Sequence, residues 1–537
     1  MSIIQALLFA VIYWLKKVEL SNYFSWWVFG RAITCGLWAG LILGNVQTGL
    51  VTGATIQLIY LGQSGAGGVI PNDEGAAALL GTAVVIQTGI DPGLGISIAV
   101  AVGLLYAQLD IVKRLINGYF ARLCDKHVAN CDIRGLYRVG LGYTMGMKAL
   151  LFGVPMFISA YWGTELIGNI MNIMPVWLTN ALTTAGGMLP AIGFAMIVTM
   201  IGRFDLLPFF IGGFLLAGYV KIGTMPMVFL ALFISYIYLL IIKRDEPKEK
   251  EEKPVEQVVG DKPPMGLFTN KELTFSLIRW LLFVEICNSF DRQQGVGFCM
   301  ALAPDMKKLY KDDPEELKAA LENHIEFYNT CASIGSIING IVLSMEEQRA
   351  QGVPISREAI RSVKVGLMGT LAGIHESLIN GAVQPLVLLT FSNLAAEGKV
   401  WAPIAFVACM LFFVMFLESY LTFKAGYRMG SVAAIKLLQG GKMQTLLSFF
   451  QVLGMFMVGS LCFANVSMPI KIVIDTGATS VALQSVFDML APGLLPLTLI
   501  LLLYRYYTSG AKNAMIKATL YVLAIGLVLG ALGIIGK

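Results

Sequence analysis

Two polar clusters lie inside otherwise apolar stretches of this chain. The first is in "GLILGNVQTGLVTGATIQLIYLG", which sets Asn45 and Gln57 among apolar residues and glycines, and in the following "PNDEG", which brings Asn72, Asp73 and Glu74 together after Pro71. The second is in "GLMGTLAGIHESLINGAV", with His375, Glu376 and Asn380 between glycines. An amide or carboxylate is costly in hydrocarbon unless it finds a partner. Amides donate and accept without titrating, which suits a neutral, hydroxyl-rich solute. Each feature also has a plainer reading. Glycines at four-residue spacing (Gly36, Gly40, Gly44, Gly49, Gly53) allow close helix packing. Asn72–Glu74 fits a solvent loop, and His375 fits a hydrogen-bonding residue at a helix break.

Other chemistry finds no constellation. The eight cysteines form no CxxC pair, and with the three histidines they give no zinc-ligand spacing. No P-loop and no nucleophile–base pair is evident, so neither a catalytic residue, a metal nor a cofactor is expected. Most cysteines read as small buried hydrophobes. His127 and His324, in charged segments, read as surface residues.

The elements that must position these clusters are membrane helices. Of 537 residues, 56% are apolar and only 14% charged, with mean hydropathy +0.72; soluble domains carry roughly 25% charged residues. Long stretches such as Ala76–Leu109, Phe209–Ile242 and Ser448–Val466 carry almost no charge, and a span needs about 20 apolar residues. The expected fold is an all-α polytopic membrane protein. The start of the chain reads as a retained first helix rather than a cleaved signal. A net charge of +5 concentrated in a few segments is a loop pattern and does not point to nucleic acid.

One composition break divides the chain. "KRDEPKEKEEKPVEQVVGDKPPMG" (243–266) is charged and proline-containing, the composition of a solvated tether. It separates a membrane half at 1–242 from a second half at 267–537. With the basic segment Lys113–Arg138 it is expected on the cytoplasmic side. Both halves contain an apolar run broken at Leu-Pro, "GGMLPAIG" and "PGLLPLTL". Discontinuous helices in corresponding positions point to a transport site between repeats. The second half opens with soluble-like helices: Asp312 and Asp313 precede Pro314, and Ser356 opens another helix after a Gly-Val-Pro turn.

The glycine-rich run and "PNDEGAA" resemble the IIC subunit of the mannose family of the bacterial sugar phosphotransferase system. "FDRQQGVGFCMALAPDMKKLY", "ENHIEFYNT", "MEEQRAQG", "IRSVKVGLMGTLAGIHESL" and "MLAPGLLPLTLILL" resemble its IID subunit. The resemblance covers nearly the whole chain except the tether, and the two normally separate subunits stand fused. It implies related halves of inverted topology with broken or re-entrant helices, in the bacterial inner membrane. It further implies a sugar carried by elevator-like motion between a core and a scaffold, cytoplasmic IIA and IIB phosphocarriers as partners, and a homotrimer in membrane lipid. It adds Arg292, Gln294 and Asn329 to the expected substrate contacts, beside Asn45, Gln57, Asn72, Asp73, Glu74, His375, Glu376 and Asn380. Several positions depart from the family: Asn45 and Gln57 stand for acids, Cys331-Ala332 for His/Gln-Pro, His375-Glu376 for Gly-Asp, Asn380 for Trp and Gln384 for Arg. Replacing the tryptophan removes a stacking platform for a sugar ring. The alternatives are an ion-coupled secondary transporter using Asp73, Glu74 or Glu376, and a receptor or docking subunit without flux.

Overall fold

The computed structural model describes residues 1–61, 72–163, 175–201, 204–220, 224–245, 266–428, 441–475, 480–509 and 514–536. Nearly all regular structure there is helical; one short antiparallel pair, Val473–Asp475 with Ser480–Ala482, is the exception. Among the described residues five helices are long and apolar enough to cross a membrane, or seven if each bent pair counts as one span. Much of Lys243–Gly266 lies outside the described residues.

The first half starts with a helix over Ile3–Val18, opened by a reciprocal cap between Ser2 and Gln5. Asn22–Phe29 and Ala32–Leu43 form a helix pair bent by 56°. The chain then reverses at Gly44, which takes the left-handed φ of +77°, and returns as Val46–Tyr60. The glycine stripe makes this hairpin tight. A Cβ on Gly53 would come 2.6 Å from the Gly36 Cα and 2.8 Å from the Ala32 carbonyl oxygen. The packing reading of the glycines is therefore what the structure displays. The charge-poor run 76–109 is two helices, not one. Glu74–Thr88 ends at Gly89, and Pro92–Ala129 begins where Asp91 caps the Gly93 N–H at 2.8 Å.

In the second half, residues 266–356 build a unit of four helices: Asn270–Phe283, Gly295–Leu309, Pro314–Ile325 and Ser336–Ala350. Asp313 caps the third, and Ser356 caps the long helix that follows. His324 corrects an expectation: it is fully buried, with Nε2 3.0 Å from Glu346. Burial lowers its pKa, against the opposing pull of Glu346, whose own carboxyl is held at about 2. The continuous helix Arg357–Ala396 contains a π-helical stretch over Glu376–Val383. Leu483–Leu490 and Leu494–Thr508 form the second bent pair, turning 67° at Gly493.

The halves are interleaved. Leu207–Val220 packs along Gly441–Asn465, Val176–Met188 along Ala514–Ala531, and Pro190–Ile201 along Leu494–Thr508. The first contact is backbone on backbone: Gly213 lies against the Phe456 carbonyl and Gly459 against the Phe210 carbonyl, where any Cβ would overlap. Small residues supply such contacts because lipid gives helices no hydrophobic reason to associate.

Candidate functional site

A cavity of about 250 Å³ opens between the halves. Asn22, Tyr23, Trp26 and Arg114 line it from the first half. Glu285, Asn288, Gln293, Gln294, Asn329, Thr330, His375, Glu376 and Asn380 are among those lining it from the second. Tyr23 and Trp26 come from the short helix before the 56° bend, Arg114 from the long helix Pro92–Ala129. His375 ends an α-helical run and Glu376 and Asn380 occupy the π-helical stretch that follows. Further π-helical stretches, at Arg138–Tyr143, Ala149–Gly153 and Leu411–Glu418, lie outside the cavity's lining.

Several walls are fixed by hydrogen bonds. Gln294 clasps Thr330, accepting from its N–H at 2.9 Å and donating to its carbonyl at 2.7 Å, and it also donates to Glu285 at 2.7 Å. The Asn288 amide donates to the other Glu285 oxygen. Burial, and after it the nearby Glu19 charge, pushes the Glu285 carboxyl above the usual range. Across the halves, the Tyr23 hydroxyl donates to Ser333 Oγ at 3.0 Å and accepts from the Ser333 N–H at 3.1 Å. Ser333 Oγ lies 3.2 Å from His375 Nδ1. Other groups are unmet: among the described residues, Glu376 Oε1, Asn288 Oδ1, and Nε and Nη1 of Arg114 are buried without hydrogen-bond partners. A buried polar atom without a partner costs about 1–3 kcal/mol, so a polar ligand has something to gain here.

Of the sequence-predicted residues, Gln294, Asn329, His375, Glu376 and Asn380 line this cavity. Asn45, Gln57, Asn72, Asp73, Glu74 and Arg292 do not, for identifiable reasons. Asn45 is an exposed helix cap whose side chain accepts from the Thr48 N–H at 3.1 Å. Gln57 is fully buried and already satisfied, donating to Glu74 at 2.8 Å and accepting from the Ile33 N–H at 3.2 Å. Asp73 is held by Lys16 at 2.6 Å, Lys17 at 2.7 Å and the Tyr13 hydroxyl at 2.8 Å. Asn72 accepts from the Glu74 N–H through its backbone. Arg292 reaches across to Asp125 at 3.0 Å. Gln57 and Glu74 approach the cavity only at second hand. Glu74 accepts from Arg31 at 2.8 Å, and the Arg31 guanidinium lies 4.0 Å from the centroid of the Trp26 ring.

The sequence reading missed Tyr23, Trp26, Arg114, Glu285, Asn288 and Gln293. The available signal was "SNYFSWW", an aromatic cluster beside Asn and Ser just before a Gly-Arg bend. Tyr23 and Trp26 line the same cavity as Asn380. Among the described residues, no group of three or more His, Cys, Asp or Glu side chains could hold a metal ion.

A second crevice, of about 280 Å³, is lined by Thr55, Asp91, Gly93, Thr183, Asn465 and Ser467 among others. Ile96 lines this crevice and Arg114 the first cavity. Both lie on the helix Pro92–Ala129, where their separation along the axis is about 27 Å at ~1.5 Å per residue.

Residues 268–535 match the model for the mannose/fructose/sorbose-family IID component of the phosphotransferase system, and residues 3–237 match that for its sorbose-specific IIC component. The mannose-specific IID component of Escherichia coli K12 is 35% identical over 247 residues, 43% of this chain and 84% of that protein. This chain is a fused IIC–IID member of the mannose/fructose/sorbose phosphotransferase family. The sorbose-specific IID component of Klebsiella pneumoniae is 31% identical over 46% of this chain and 90% of its own length. For the mannose-specific IIC component of E. coli K12 the values are 28%, 38% and 77%. Two solved structures, one titled a membrane protein and one a mannose transporter bound to microcin E492, each cover 50% of the chain at 29% identity, with TM-scores of 0.45 and 0.29. The fused IIC–IID chain is thus a multi-pass protein of the bacterial inner membrane and a sugar permease that works with cytoplasmic phosphotransferase partners.

Proposed function

We propose that the 250 Å³ cavity between the halves is the sugar site, and that the chain delivers sugar from it to a cytoplasmic IIB protein for phosphorylation. The observation that carries this reading is the cavity itself. It is walled by both halves, lined by the Arg114 guanidinium, the Asn288 amide and the Glu376 carboxylate, each with unmet hydrogen-bonding capacity, and edged by Trp26 and Tyr23. Fixed polar groups beside an aromatic face suit a polyol. The phosphoryl group passes from IIA to IIB to the sugar, and no residue of this chain carries it. An elevator-like motion moves the site between the two membrane faces. Two crevices about 27 Å apart along one helix, close to the ~30 Å thickness of the hydrocarbon core, support such a route. The complex is a homotrimer, with the 243–266 tether on the cytoplasmic side.

The test is vesicles holding the full chain with radiolabelled sugars inside and out. Sugar phosphate should accumulate only when IIA, IIB and a phosphoryl donor are present. Concentrative uptake of free sugar on a proton or sodium gradient alone overturns the reading in favour of secondary transport.

A further inference from the structure

Charged residues in the described membrane region are largely paired. Lys16 and Lys17 hold Asp73, Lys17 and Lys113 hold Asp110, Lys113 and Lys148 hold Glu19, and Arg31 holds Glu74. This is the expected pattern, because an unpaired charge away from water is costly. The cavity breaks it. Arg114 has no ion-pair partner among the described residues, and its Nε and Nη1 have no acceptor. Its guanidinium lies 5.6 Å from the centroid of the Phe290 ring, a contact that leaves the N–H groups unmet. Glu376, on the opposite half of the chain, takes one hydrogen bond, from Asn380 at 2.8 Å, while its Oε1 has no partner. Glu285 differs from both: each of its oxygens accepts from a side-chain amide, Gln294 or Asn288. The lining therefore presents one unanswered cation and one unanswered carboxylate, contributed by different halves.

We infer that the cavity selects a polyhydroxylated solute that carries both an anionic and a cationic group, the anion meeting Arg114 and the cation meeting Glu376. The inference rests on the cavity being the sugar site. A neutral hexose would leave both charges unmet, whereas a solute with both groups answers each and is itself neutral overall when carried. The amides of Asn288, Asn329 and Asn380 remain for its hydroxyls.

Four probes that differ only in these groups decide the matter: D-glucose, D-glucosamine, D-gluconate and 2-amino-2-deoxy-D-gluconate. Binding to the purified full chain is measured by calorimetry. The last probe should bind most tightly, each of its two charged groups adding on the order of tenfold to a hundredfold over glucose. Arg114→Gln should erase the advantage given by the carboxylate and keep that given by the amine. Glu376→Gln should do the reverse. If either variant fails to assemble, the other, read across all four probes, still tests its own half of the assignment. Equal binding of the four probes, failure of all four, or a uniform weakening of all four in both variants overturns the inference; the last result would mean that Arg114 and Glu376 serve each other. The sugar-site reading fails separately, if Trp26→Ala leaves the affinity of every probe that binds the parent unchanged.

Discussion

Replacing Glu74 by Gln should destabilise the first half severely. Arg31 is 1% exposed, and its one carboxylate partner among the described residues is Glu74, at 2.8 Å. Its Nε and Nη2 already lack acceptors, so no second acid stands ready to take over. Glu74→Gln keeps the side chain's shape and removes the charge. It leaves a guanidinium buried with only an amide oxygen and the Trp26 face for company. Breaking a buried pair by removing one partner costs roughly 3–5 kcal/mol, which is a fall of about two to three and a half orders of magnitude in the folded-to-unfolded ratio. The double variant Arg31→Met/Glu74→Gln should regain most of this, because both charges are then gone and the new amide can still accept from Gln57. The assay is thermal unfolding of purified protein in detergent, followed by intrinsic fluorescence, for the parent, both single variants and the double. Sugar binding should fall in Glu74→Gln as well, since Arg31 lies against the cavity's Trp26. An unchanged melting temperature for Glu74→Gln, or a double variant no better than the worse single, would refute the reasoning.

Three further outcomes are expected. Trp26→Ala should weaken sugar binding up to about tenfold, the size of an aromatic stacking contribution of roughly 0.5–1.5 kcal/mol, and lower the melting temperature as well, because the ring also covers the buried Arg31 guanidinium; calorimetry and melting curves together check this. Because burial lowers the folded-state pKa of His324 below its ordinary 6.5, the unfolded chain binds more protons there, so its contribution to stability is full above pH ~6.5 and is lost as pH falls toward the folded pKa. His324→Gln should flatten the melting-temperature slope measured from pH 7 to pH 5, and an identical slope would exclude this residue. Residues 1–250 and 260–537 expressed as two chains should assemble and transport in vesicles, which a copurifying but inactive pair would contradict.

Membrane character, the two halves and the helix openings at Asp313 and Ser356 were legible because they are written in local composition and cap chemistry. The second-half wall was legible for a similar reason: His375, Glu376 and Asn380 are conspicuous in a glycine-punctuated apolar helix. The first-half wall was not. Gln57 looks unsatisfied in its own helix, yet Glu74 and the Ile33 N–H answer it from elsewhere. Asp73 looks free until Lys16 and Lys17 fold over it from the first helix. His324 looked like a surface residue for the same reason, since Glu346 arrives from another helix. Such pairings depend on tertiary approach, and local spacing does not encode them. Tyr23 and Trp26 read as ordinary apolar mass until the 56° bend turns their helix toward the other half.

The π-helical stretch at Glu376–Val383 carries an evolutionary consequence. A wide turn of this kind holds a residue more than the α-helical path would, so the helix beyond it is out of phase by about 100°, one residue's rotation. Lineages can therefore gain or lose a single codon here without breaking the span. Each such event would keep the residues before the stretch in place and turn those after it, Gln384 onward, to a new face. A one-residue length change in this segment would then turn the face that Gln384–Ala396 packs against Val46–Tyr60, while His375, before the stretch, stays in the cavity lining.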